Sequence, residues 1–146
     1  MSLELVLVFA LASPPSTSAL QSALNRQGIP VRVLPSSDLQ IDTGFLQIEY
    51  ETRKSGFYLN QLSYEELTSD YPQAKTRSRA AKAVLSFGWG ADFLECASVF
   101  QVASVLVSEF GADAFDTESA SYISLKDIRA NAAACYDMSK GQKAQH

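Results

Sequence analysis

A single histidine, His146, closes this sequence, and two cysteines are all it contains. Without further histidines, Ser-His-Asp and Cys-His hydrolases lack their base and the common zinc constellations lack their ligands. Cations are in the minority as well: 12 Lys and Arg stand against 16 Asp and Glu, a net charge of −4. General nucleic-acid binding needs Lys and Arg to displace counterions from phosphates, so this balance disfavours it and favours a basic partner. Gly88-Trp89-Gly90 lacks the third glycine of a dinucleotide fingerprint, and Asp92 would repel phosphates at the helix start that follows. There is no Walker A motif, no oxygen-rich calcium loop and no apolar run long enough to cross a bilayer. No cofactor, metal, nucleic acid or membrane is therefore expected.

The opening "MSLELVLVFALASPP" has an apolar run, Leu3 to Ala12, and an Ala-Leu-Ala end like those of secretory segments. Yet no Lys or Arg precedes the run, and Glu4 sits at its start. It reads as a buried first strand, and the protein as cytoplasmic. Cys96 and Cys135, expected on different helices, form no disulfide framework and agree with that reading.

With 47% hydrophobic and 19% charged residues, the chain suits one soluble core. Ser13 caps a first helix ahead of Pro14 and Pro15, Gly28 ends it, and Val31 to Leu34 follows as a strand, a βαβ start. "GFLQIEYE" and "GFYLNQL" form a hairpin around a turn at Arg53-Lys54-Ser55-Gly56. Ser63 and Glu66 have capping-box spacing. A strand over Ala83 to Phe87 leads to a long helix from Phe93 to Phe110, stopped by Gly111. "ADAFD" is a last short strand, and Ser124 and Asp127 open an alanine-rich final helix. The expected fold is a single α+β domain over residues 1–138, an open sheet of about five strands with helices mainly on one face. Residues 139–146 form a frayed polar tail.

At 100° per residue, Phe93, Cys96, Val99, Phe100, Ala103 and Leu106 share one half of the long helix, its core face. Cys96 near the middle of that face is expected to be a buried, inert thiol. Leu94 and Val105 interrupt the otherwise polar outer face: they are either tolerated on a face that meets solvent alone, or mark an interface between two copies of the chain or a covering element. The Gly-Trp-Gly stretch is a strand-to-helix turn in which Trp89 packs locally or, if exposed, anchors a partner or stacks on a ligand. Lys75, Arg77, Arg79 and Lys82 read as a solvated basic run. Glu109, Asp113, Asp116 and Glu118 surround the last short strand and suit a basic partner better than a metal.

The stretch from Leu85 to Cys135, "LSFGWGADFLECASVFQVASVLVSEFGADAFDTESASYISLKDIRANAAAC", resembles small bacterial α+β proteins of the toxin-immunity type. The resemblance covers roughly the last third of the chain and carries no catalytic residues. It implies a cytoplasmic protein, not an enzyme, that neutralises a basic toxin by blocking its active site. The partner-binding residues on this reading are Trp89, Glu109, Asp113, Asp116 and Glu118. The alternative is a small-molecule sensor or carrier with a pocket near Trp89, Tyr50 and Tyr58.

Overall fold

The computed structural model describes residues 3–40, 43–76 and 83–142. Of the basic run, Arg77, Arg79 and Lys82 lie outside the described residues, as does His146; Lys75 is exposed.

The apolar opening run is β1 (Leu3–Phe9), with Leu5 to Phe9 buried. It is followed by α1 (Thr17–Arg26), β2 (Val31–Val33), β3 (Gly44–Tyr50), β4 (Arg53–Leu62) and α2 (Tyr64–Asp70). A 3-10 turn at Pro72–Thr76 leads to β5 (Ala83–Trp89), α3 (Phe93–Glu109), β6 (Ala112–Asp116), β7 (Ser121–Ile123) and α4 (Leu125–Ser139). The strands form one seven-stranded sheet in the order β2-β3-β4-β5-β1-β6-β7, two more than expected, and every pairing is antiparallel. The expected βαβ start is thereby corrected. β1 and β2 lie far apart in the sheet, because α1 carries the chain to the edge where β2 pairs with β3.

Local chemistry explains most boundaries. Ser16, not Ser13, caps α1 by accepting from the Ala19 N–H, so Pro14 and Pro15 precede the cap. Ser63 and Glu66 complete a reciprocal capping box at α2. The β3–β4 turn is at Glu51 and Thr52, both at positive φ, and Arg53 to Gly56 belong to β4. Gly56 is required there by close approach, since a side chain would meet the Leu46 carbonyl and the Phe45 ring.

The sheet separates two cores of unequal size. On one face α1 and α3 bury Leu20, Leu24, Val99 and Leu106 with Leu5, Leu7, Phe57 and Phe87. On the other, α2 and the 3-10 turn cover Val6, Val8, Val84 and Phe115 with Leu67 and Ala74, the smaller cluster among the described residues. α4 packs on the outside of α3, which is therefore apolar almost all round and buried nearly throughout. Leu94 and Val105 are both buried within the single chain, so they mark covered positions and not a free face for a second copy. No helix among the described residues is long and apolar enough to cross a membrane.

Candidate functional site

Antiparallel pairing brings three strand ends to one edge of the fold. Leu3 at the start of β1 faces Trp89 at the end of β5, and Leu5 faces Asp116 at the end of β6. The start of α3 meets them there, because Asp92 caps that helix by accepting from the N–H groups of Leu94 and Glu95. Glu95 reaches back to accept from the Gly90 N–H, which fixes the chain between β5 and α3. Neither Gly88 nor Gly90 takes a positive φ, so the link does not depend on glycine's freedom to do so.

Above this edge lies a cleft of about 640 Å³. Its apolar wall is Trp89 and Phe100, whose rings meet edge to face with centroids 5.5 Å apart. Its acidic rim is Asp92, Asp116 and Glu118; Glu4 borders the cleft at the start of β1 but turns its carboxylate to the opposite face of the sheet, where it accepts from the Ser86 hydroxyl, and no Lys or Arg lines the cleft among the described residues. α4 closes the remaining side with Asn131 and Cys135.

Cys135 is joined to Cys96 by a disulfide that spans α3 and α4, with Cα atoms 5.8 Å apart, and both cysteines line the cleft. This corrects the expectation of an inert free thiol. Cys96 is buried as expected, but its sulfur is bonded. Nothing in the spacing of two cysteines 39 residues apart signals that pairing, which depends on how α4 lies along α3.

Of the five residues expected to meet a partner, the cleft gathers Trp89, Asp116 and Glu118. Trp89 is only 6% exposed, so it is a wall of the cavity and not a protruding anchor. Asp116 also holds the β6–β7 turn, accepting from the Glu118 N–H and the Ser119 hydroxyl, and it thereby sets Glu118 at the rim. Asp113 lies toward the other end of β6, opposite Val8. Glu109 is at the far end of α3, bonded to Arg26 and Gln27, and the Arg26 guanidinium followed by the Gln27 amide holds its carboxyl below the usual range. The four carboxylates therefore form no single surface.

The expected pocket around Trp89, Tyr50 and Tyr58 does not assemble either. Tyr58 is exposed on the opposite face of the sheet, edge to face with Phe45, and Tyr50 is buried at the end of β3. Tyr50 stacks on Tyr136 of α4 at 5.3 Å, accepts from Gln101, and has its phenol pushed up by burial. Sequence reasoning missed Phe100, Asn131 and Cys135, because the cleft depends on where α4 lies. Among the described residues no group of three or more His, Cys, Asp or Glu side chains is placed to hold a metal ion.

Comparison with known proteins finds no matching family model, no matching curated protein and no matching solved structure.

Proposed function

We propose that this chain is a non-enzymatic binding protein that takes an organic cation into the cleft at the Trp89 end of the sheet. The observation that carries the reading is the convergence of Trp89 and Phe100 with Asp116 and Glu118 on one cavity that no basic side chain lines among the described residues. Aromatic faces attract ammonium and guanidinium groups, and carboxylates at a rim raise their local concentration. A volume of about 640 Å³ is in the range of small-molecule sites. The immunity-type reading calls for Glu109, Asp113, Asp116 and Glu118 on one docking face beside an exposed Trp89, an arrangement with less support in the geometry. The cation is therefore a small molecule rather than the surface of a basic protein.

The chain's one tryptophan makes the test direct. Agmatine and benzyltrimethylammonium, titrated separately into the disulfide-bonded protein, are expected to change Trp89 fluorescence saturably. Glu118→Gln is expected to weaken binding about fivefold, with a smaller salt dependence. Saturable binding of neither cation, or binding indifferent to Glu118→Gln, overturns the reading.

A further inference from the structure

The cleft wall supplied by α4 is held chiefly along one partner, α3, and few of its own side chains are buried. Only Ile128, Ala132 and Ser139 of that fifteen-residue helix are buried. It packs on α3 and reaches the sheet through Tyr136, which stacks on Tyr50 and donates to Glu51. After the helix, Gln142 accepts from the Phe93 N–H and donates to the Ala91 carbonyl, which ties Gln142 to the chain at the cleft. The one covalent tie is Cys96–Cys135, and both of its residues face the cavity, Cys135 being the more exposed.

We infer that this disulfide is a redox latch on the cleft: a dithiol reductant entering the cavity opens it, frees α4 from α3 and removes the wall formed by Asn131 and Cys135. The inference rests on the cleft being the binding site, and it names that site's regulation. One thiolate of the reductant attacks the more exposed Cys135 sulfur, and Cys96 leaves as a thiolate. The second reductant thiolate then displaces Cys135, closing the reductant's own disulfide. Two electrons pass to the protein, and the two protons given up by the dithiol end on Cys96 and Cys135. Oxidation of the pair by a disulfide reverses each step and restores the wall.

The full chain is compared in its oxidised form and in excess dithiothreitol, with no ligand present. Reduction is expected to speed amide exchange in α4 by about tenfold or more, leave β1 and β5 protected, and raise acrylamide quenching of Trp89. Reoxidation restores both. Unchanged exchange and quenching overturn the latch, and so does loss of protection spread evenly over the sheet, the signature of a staple for the whole fold. Cys96→Ala with Cys135→Ala is expected to match the reduced form and ignore dithiothreitol; a response of that variant also overturns the latch. Agmatine titrated into both forms separates the two readings. Equal affinity overturns control of binding by the disulfide. Binding to neither form, with the exchange difference intact, supports the latch and overturns the cation site.

Discussion

Gln21 stands beside Val33 as a neighbouring strand would: its side-chain Oε1 accepts from the Val33 N–H at 2.7 Å, while its Nε2 donates to the Val31 carbonyl at 2.9 Å. β2 is the edge of the sheet and only three residues long. A helix side chain thus occupies edge groups that would otherwise template another chain. Gln21→Ala is expected to cost about 1–2 kcal/mol and to promote concentration-dependent association. Urea unfolding and size-exclusion chromatography at several concentrations check both, and an unchanged midpoint would show that water replaces the amide without loss.

The β3–β4 turn holds two non-glycine residues at positive φ, Glu51 at 54° and Thr52 at 83°. A β-branched residue is strained in that region, whereas glycine at the second position suits a two-residue hairpin. Thr52→Gly is expected to stabilise the protein by about 1 kcal/mol, with the bond from Tyr136 to Glu51 kept. A destabilised variant in chemical denaturation would refute the strain.

Two phenols respond to alkali in the same direction. The bond that Tyr136 donates to Glu51, with burial and the nearby charge adding to it, pushes that phenol up; burial, partly offset by Gln101, does so for Tyr50. Each folded protein holds its proton longer than the unfolded chain does. The stability so contributed is complete below about pH 10 and is lost as pH rises through the raised folded values. Tyr136→Phe is expected to make the alkaline fall in the urea midpoint shallower without removing the share due to Tyr50. Equal slopes in the two proteins would count against the Glu51 bond.

Carboxylates around the disulfide sort reductants by charge. At equal thiolate concentration and low salt, cationic cysteamine is expected to reduce Cys96–Cys135 faster than anionic mercaptoacetate, because Asp92, Asp116 and Glu118 line the approach. Added salt should narrow the ratio. A ratio independent of salt would mean that reduction proceeds by a route other than the cleft.

How far the sequence discloses this arrangement depends on the range of each interaction. Ser63 with Glu66, Asp92 at α3 and Ser124 at α4 are caps formed within three residues, and they are legible as such. The apolar character of β1 identifies it as a core strand. Its neighbours are not legible, since an alternating or continuous apolar run does not say which other run it meets. One apolar stripe on α3 implies one buried side, whereas α4 covers the outer side as well, and Leu94 and Val105 are the sequence trace of that further layer. β7, three residues with none buried, leaves almost no pattern at all. The cleft inherits these limits. Trp89, Asp116 and Glu118 lie on strand ends or next to them and are legible there; Phe100, Asn131 and the disulfide depend on helix packing across a large separation in sequence.

The position of β1 between β5 and β6 has a consequence for the chain while it is being made. The most apolar strand is the first to be synthesised, yet its partners come much later: Glu4 and Ser86, bonded in the finished sheet, are 82 residues apart. Chains emerge at about 5–20 residues per second, so Leu3 to Phe9 spends several seconds outside the ribosome with both edges vacant. A nascent chain in that state is the form most exposed to aggregation and the one a chaperone would meet. The sheet closes only when its second half arrives.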